Sequence, residues 1–390
     1  VVNGEAVTPG GSIPAAAIVC EGRKILWIGP EKDLPGEYRH GSVVDARGGF
    51  ILPGLIDLHL HGGGGFDVMT ASPETLSALG AYLAAAGTTA WLATTMTASP
   101  ERLENAARAV GAYDGAVDDG PAEAELLGLH LEGPYLSPEK CGAQSAAHIR
   151  PYDREEIGRL QSLANGRLRV ITLAPEADGN DGAVEDLRGR SLAVSLGHTD
   201  ADWATATRAF AAGATRTTHT FNAMRGLSHR DPGTVGAALD QPGVVLEVIA
   251  DGVHVHPACL RLLYRAVGPA RLNLVSDALP FAGLAPGQYD WDGTALTATN
   301  EALYLADGTL AGSRLTLARA VAFMVKECCV PLSDAVRMAS LTPAESLGVA
   351  ERKGSLTPGK DADLVICDRE FNVRWCAVGG REAGAPAVTA

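Results

Sequence analysis

The sequence predicts an α/β protein, a (β/α)8 TIM-like barrel with a small β-sandwich domain formed from both chain termini. Three observations carry this. Eight short β-rich runs succeed one another between residues 51 and 277, stretches of helical sequence lie between them, and both chain ends are strand-and-turn sequence without helices. A length of 390 residues accommodates one large barrel with a satellite.

The runs are ILPGLIDLHLH (51–61), TTAWLATT (88–95), ELLGLHLE (125–132) and RLRVITLAP (167–175), then SLAVSLGH (191–198), ATRTTH (214–219), VVLEVIAD (244–251) and RLNLVSD (271–277). Strands that alternate with crossover helices pair in parallel, and eight of them close naturally into a barrel. Helices are expected over 73–86, 99–112, 152–163, 200–212 and 257–267, several opened by the Ser, Thr, Asp or Pro that suit a helix start. The stretch 314–348 reads as two more helices on the barrel's outside. Residues 1–50 and 354–390 carry short strands with Gly and Pro turns, so the expected division is a sandwich part at 1–50, the barrel at 51–353 and a second sandwich part at 354–390. The glycine run Gly62–Gly65 reads as a flexible loop. Gly354–Lys360 imitates a phosphate-cradling loop, but Asp361 replaces its Ser or Thr and Pro358 interrupts it, which leaves a β-turn.

Composition narrows the function classes. Against 46 acidic residues stand 32 basic ones, a formal charge of −14, which argues against a general nucleic-acid or anionic-membrane surface. Any anionic ligand must meet a local positive site. No stretch approaches the roughly 18 apolar residues of a membrane span. The seven cysteines are scattered, odd in number and without CxxC spacing, as expected of reduced thiols in a cytoplasmic protein.

Barrel enzymes carry their reactive groups where strands end. Here His59 and His61 close the first run, Glu132 the third, His198 the fifth, His219 the sixth and Asp277 the eighth. One histidine near a strand is more often a hydrogen-bonded or surface residue than a ligand; the constellation at one face carries the signal. Imidazole nitrogen and carboxylate oxygen suit Zn2+ or a similar divalent ion. Residues two apart on a strand share a face, so His59 and His61 can both face the barrel axis. Asp57 has the same parity, as a partner for an imidazole or as a buried turn acid. Asp277 reads as a fourth ligand, a structural cap or, as favoured here, a general base.

The segment PGLIDLHLHG (Pro53–Gly62), with the later single histidines and Asp277, resembles the amidohydrolase superfamily of metal-dependent barrel hydrolases. Within it LHLEGPYLSPEKCGA (Leu129–Ala143), SLGHTDAD (Ser195–Asp202), HTFNAMRGLSHRDPG (His219–Gly233), DGVHVHP (Asp251–Pro257), LVSDALPFAG (Leu274–Gly283) and GTLAGSRLTL (Gly308–Leu317) are similar to N-acetylglucosamine-6-phosphate deacetylases. The similarity spans about residues 45–367. It implies that Glu132, His198 and His219 hold a principal metal and that Asp277 is the catalytic acid/base. His59 and His61 match a pair that gives some members a second metal, bridged by Glu132, so one or two ions, most plausibly zinc, are expected per subunit. Asn222 and Ala223 match contacts to the substrate phosphate. Arg230 and His254 match a pair reaching in from the neighbouring subunit of a homodimer; read alone, Arg230 would be a surface partner of Asp231 and His254 a loop histidine. Gln144 stands where many members carry a histidine that touches the sugar, and an amide cannot take a proton's charge. Cys141 in the same loop is an inert small residue or a thiol near the pocket.

The implied reaction is hydrolysis of the acetamide of N-acetylglucosamine 6-phosphate to glucosamine 6-phosphate and acetate, in amino-sugar catabolism and cell-wall recycling. Two rivals remain at this point. Another amidohydrolase acting on a cyclic amide or nucleobase would share the histidines and Asp277 without needing Asn222, Arg230 and His254 together. A non-catalytic scaffold would be expected to lose ligands, and every one is present.

Overall fold

The computed structural model describes residues 1–115 and 120–384. Eight parallel strands form one sheet in chain order: Leu55–Leu60, Thr88–Thr95, Glu125–Glu132, Leu168–Leu173, Ala193–Leu196, Arg216–Thr217, Val245–Val248 and Leu272–Leu274. Each expected run supplies one strand. All eight residues of Thr88–Thr95 are buried, as a strand covered by helices on one side and barrel interior on the other must be. The eighth run meets the first at the rim: the Asp277 N–H donates to the His59 carbonyl (2.9 Å) and the His61 N–H to the Ala278 carbonyl (2.8 Å). Asp57 completes this seam. Its Oδ1 accepts from the backbone N–H groups of His59 and Ser276, each at 3.3 Å, which makes it a buried acid that joins the first and last strands rather than an imidazole partner.

The helices begin where side-chain oxygens can satisfy their free N–H groups. Ser72 accepts from Thr75 at the start of Pro73–Ala85, Ser99 from Arg102 at Pro100–Ala112, Asp153 from Glu155 at Arg154–Leu163, and Asp202 from Thr205 at Trp203–Ala212. Beyond the eighth strand there are three helices where two were expected, Leu317–Lys326, Leu332–Met338 and Leu341–Ser346. Pro331 ends the connection after the first, and the sharp turn through Met338–Leu341 divides the remainder.

Two other features depart from expectation. The first run splits at Gly54: Phe50–Pro53 belongs to the terminal sheet, pairing with Gly4–Thr8 and Leu364–Cys367, and only Leu55–Leu60 enters the barrel. A Cβ at Gly54 would lie 2.0 Å from Thr89 Oγ1, so no other residue fits the crossing between the two sheets. Residues 287–313 form a four-stranded antiparallel sheet (Gly287–Trp291, Thr294–Ala298, Ala302–Leu305, Leu310–Ser313) between the eighth strand and the helix that follows it. Its first turn, Asp292-Gly293, has φ of 55° and 80°, the left-handed pair of a tight hairpin.

The Gly62–Gly65 run is packed rather than loose. Gly62–Gly63 pairs with Phe66–Asp67, the N–H groups of Gly64 and Gly65 donate to Ala282 and Pro280, and the Tyr82 ring lies where Cβ atoms of Gly63 and Gly64 would be. Both chain ends share one seven-stranded sheet, in the order Arg381–Glu382, Val373–Val378, Leu364–Cys367, Phe50–Pro53, Gly4–Thr8, Gly11–Glu21, Lys24–Pro30. Residues 385–390, the end of the expected C-terminal part, lie outside the described residues. A small core around Ile18, Ile25, Ile51 and Leu364 underlies this sheet. Lys353 ties it to the barrel: buried at 1% exposure, its Nζ lies 2.7 Å from Asp363 and 2.9 Å from Glu125.

Candidate metal centre

Six side chains converge at the open end of the barrel. His59 lies in the first strand and His61 just beyond it; Glu132 ends the third. His198, His219 and Asp277 follow their strands by two or three residues and have φ of 47°, 31° and 50°. That left-handed backbone costs of order 1–3 kcal/mol per residue and turns each side chain into the mouth instead of along the strand.

The Glu132 carboxylate is the centre. It lies 3.0 Å from His219 Nε2, 3.2 Å from His61 Nε2, and 3.3 Å from the Nε2 atoms of His59 and His198. Asp277 Oδ1 approaches His61 and His59 at 3.3 and 3.5 Å. Two triads of ligand atoms result, His59–His61–Asp277 and Glu132–His198–His219, each within 4.8 Å. The outer nitrogens favour the same reading. Nδ1 of His61 sits 3.1 Å from the Thr94 carbonyl and Nδ1 of His198 2.8 Å from the Lys140 carbonyl, so each carries its proton there and turns a lone pair inward. The His59 Nε2 is buried without a hydrogen-bond partner, and His198 and His219 point Nε2 at each other across 3.1 Å. Facing lone pairs on buried nitrogens beside two carboxylates are what a divalent cation satisfies, so these residues fit one.

The facing imidazoles and carboxylates also shift one another's affinity for protons. Burial opposes a proton on His61, but the facing Asp277 and Glu132 outweigh it and lift its pKa to about 9; the same contest raises His59 well above its ordinary value. Burial also opposes charge on Asp277, yet His59 and His61 bring it down to about 2, and Glu132 falls well below the usual range. Burial raises Asp57 to about 6 against its hydrogen bonds to Ser276 and His59.

A cavity of about 320 Å³ opens over these groups, within the range of small-molecule sites. Asn222, Ala223, His254 and Gln144 line it with His61, Glu132, His198, His219 and Asp277. One Asn222 side-chain N–H goes to the His219 carbonyl (3.1 Å), leaving the other for a ligand. Gln144 is engaged at both ends: its Nε2 donates to Glu132 Oε2 and its Oε1 accepts from Thr97 N–H, each at 2.6 Å. Its contacts therefore steady Glu132. His254, expected to reach a neighbouring subunit, lines its own chain's cavity, because Asp251 holds its Nδ1 at 2.6 Å and its backbone N–H at 2.9 Å. Arg230 is exposed outside the cavity, and Asp231 pairs instead with Arg225 (3.4 Å). Cys141 is half-buried and does not line the cavity.

The sequence reading overlooked several residues. Among the described residues Lys140 is the one lysine or arginine in the cavity wall, its Nζ 3.3 Å from Asp200 Oδ1, and Thr309–Gly312 of the inserted sheet close another side. Below the floor, Glu247 and Arg216 form a buried ion pair of 2.8 Å. A charged residue inside an apolar run, as in VVLEVIAD, was the available signal.

Residues 50–382 match the Amidohydrolase family. The chain belongs to the amidohydrolase family. It is 41% identical over 323 residues to the N-acetylglucosamine-6-phosphate deacetylase of Bacillus subtilis, covering 83% of this chain and 82% of that one. It is 38% identical to the N-acetylgalactosamine-6-phosphate deacetylase of Escherichia coli O157:H7, covering 88% and 90%. The crystal structure of N-acetylglucosamine-6-phosphate deacetylase from Pasteurella multocida superposes with a TM-score of 0.90 at 33% identity, covering 98% of both chains. A mutant of the Mycobacterium smegmatis deacetylase in complex with N-acetyl-D-glucosamine-6-phosphate gives 0.89 at 32%, covering 97% of each. Among amidohydrolases, then, this chain groups with deacetylases of phosphorylated amino sugars.

Proposed function

We propose that this amidohydrolase removes the acetyl group of N-acetylglucosamine 6-phosphate, giving glucosamine 6-phosphate and acetate. The observation that carries the reading is the meeting of Glu132, His61, His198, His219 and Asp277, backed by the buried His59, at one cavity whose wall also holds Asn222, Ala223 and Lys140. A cyclic-amide or nucleobase hydrolase needs the first set and not the second.

Glu132, His198 and His219 would hold one divalent ion, and His59, His61 and Asp277 would offer a second position. Bound there, zinc or a similar ion lowers the pKa of water toward about 7 and polarises a carbonyl. An amide resists hydrolysis because nitrogen donation strengthens its carbonyl and because its amine leaves badly without a proton. Asp277 meets both needs: its carboxylate accepts the proton of the attacking water, then delivers that proton to the departing nitrogen. Asn222 and the Ala223 backbone hold the phosphate and Lys140 supplies the positive charge that an acidic protein must place locally, so the acetamide is oriented before reaction. Gln144 keeps the Glu132 carboxylate in one orientation. Arg230, exposed outside its own chain's cavity, extends to the cavity of a second copy in a homodimer.

No helix among the described residues is long and apolar enough to cross a membrane, and all seven cysteines are free, which supports a cytoplasmic setting. The test is acetate release, with elemental analysis, from N-acetylglucosamine 6-phosphate, its 4-epimer N-acetylgalactosamine 6-phosphate and both unphosphorylated sugars. The phosphorylated glucosamine derivative is expected to react fastest. Ammonia in place of acetate, or equal rates with and without phosphate, overturns the proposal; faster reaction of the 4-epimer assigns the chain to the other sugar.

A further inference from the structure

Beneath the cavity floor lies a line of buried side chains that the reaction above does not use. Glu247 is in the seventh strand and Arg216 opens the sixth, with side chains 0% and 1% exposed. Arg216 Nη2 meets Glu247 Oε1 at 2.8 Å, and Nη1 donates to Ser346 Oγ on the outer helix Leu341–Ser346, also at 2.8 Å. The second oxygen of Glu247, Oε2, faces Nδ1 of His59 at 3.3 Å. The His59 ring is packed edge-on by His130, with centroids 4.8 Å apart at 74°. Its other nitrogen, Nε2, points toward Glu132 and Asp277. A buried ion pair is a poor source of stability, because desolvation offsets most of its attraction. Its position against a histidine of the candidate metal centre gives it another use.

We infer that Glu247, held by Arg216, is the positioning residue that makes His59 a metal ligand. An ionised carboxylate only accepts hydrogen bonds, so it fixes the His59 proton on Nδ1 and leaves Nε2 as a lone pair beside His61 and Asp277. Among the described residues no side-chain hydrogen bond joins Glu247 to Glu132, His198 or His219: Gln144 holds Glu132, the Lys140 carbonyl holds His198 Nδ1, and His219 Nδ1 is buried without a partner. Glu247 therefore governs the ion at His59–His61–Asp277 and leaves the other position alone. The inference rests on the metal-centre reading proposed above.

Glu247→Gln keeps the side chain's size and reverses its instruction. Arg216 claims the amide oxygen, the amide NH2 then faces Nδ1, and the proton moves to Nε2, where it blocks coordination. Elemental analysis of folded protein equilibrated with zinc is expected to find two ions per wild-type chain and one in Glu247→Gln, with affinity at the second position down about 10- to 100-fold. Glu247→Asp, which retains a carboxylate, is expected to keep more of the second ion than Gln does. A purely structural role predicts the reverse order, since Gln is isosteric and Asp leaves a gap. Two ions in both wild type and Glu247→Gln overturn the inference, as does a single ion in wild type at saturating zinc. No ion in wild type removes the metal-centre reading itself. A nitrogen-15 histidine spectrum of the zinc-loaded wild type decides without any variant: a proton on His59 Nδ1 supports the inference, and one on Nε2 overturns it.

Discussion

Asp277→Asn removes the proposed proton shuttle and, because Asp277 also belongs to the second candidate metal position, is read on protein whose zinc content is known. In the proposed reaction one carboxylate takes a proton from water and returns it to nitrogen, so the substitution removes both transfers at once. Among the described residues no other carboxylate of the cavity wall is free to replace it. The other carboxylates in the cavity wall are Glu132, crowded by four imidazoles at 3.0–3.3 Å and by Gln144, and Glu139, whose Oε2 accepts from Ser137. General acid–base catalysis contributes about 10²–10⁴-fold, and loss of acid and base together places the expected fall in kcat at about 10³–10⁴, or roughly 4–5.5 kcal/mol of barrier. KM for the phosphorylated sugar is expected to hold within about twofold, because Asn has the shape of Asp and the substrate contacts proposed at Asn222, Ala223 and Lys140 are untouched. The assay is steady-state acetate release with zinc content measured on the same sample. A zinc-loaded Asn variant within tenfold of the wild-type kcat would falsify the assignment of the proton shuttle to Asp277.

Three further outcomes follow from the same structure. Lys140→Met is expected to raise KM for the phosphorylated sugar about tenfold, some 1.4 kcal/mol, and to leave the unphosphorylated sugar unchanged; a parallel loss on both substrates rules out a phosphate contact. Gln144→Leu leaves the buried Thr97 N–H unpaired and takes one donor from Glu132 Oε2, which keeps His61 at 3.2 Å, so urea unfolding should show a loss of about 1–3 kcal/mol, and an unchanged midpoint contradicts this. Lys353→Met takes the cation from buried Asp363, which keeps the Gly379 N–H at 2.8 Å, and leaves Asp361 to Arg352 and Lys24, an expected cost of about 3 kcal/mol in a urea titration at pH 7. Its pH dependence has a definite sign. Burial opposes charge on Glu125 and Asp361, but Arg352 and Lys353 on the first and Lys24 and Lys353 on the second depress both pKa values below their ordinary 4.5 and 3.8. Stability from these contacts is complete above the ordinary values and is lost as pH falls through the depressed ones. The gap between wild type and Lys353→Met should therefore shrink below about pH 4, and a gap that widens there refutes the arrangement.

The barrel was legible because most of its strands are runs rich in apolar residues and threonine that alternate with helices, several of them opened by a capping Ser or Asp. The candidate ligands were legible because they stand at strand ends, and the His59–His61 spacing specifies a shared face. The inserted sheet at residues 287–313 was not, since its first strand is half exposed and lacks a clean alternation of burial, although Asp292-Gly293 announced the turn. Gly54 shows a second limit: sequence periodicity continues through Phe50–Leu60, and only the approach of Thr89 from the neighbouring strand reveals that the run belongs to two sheets. Depth is the third. His130 and Glu132 share a face of the third strand, but His130 lies two residues, about 6.6 Å, deeper. There it bonds to Thr172 and the Leu58 carbonyl, and burial together with neighbouring His59 brings its pKa to about 3, so it stays neutral. The pairing of Glu247 with Arg216 is hidden for the same reason, because it depends on the register of two adjacent strands, in which Arg216 lies opposite Val245 and Thr217 opposite Leu246. Periodicity assigns a side chain to the barrel interior; the stacking of one strand on the next decides whether it meets a substrate, a cation or the residue that holds a ligand in place.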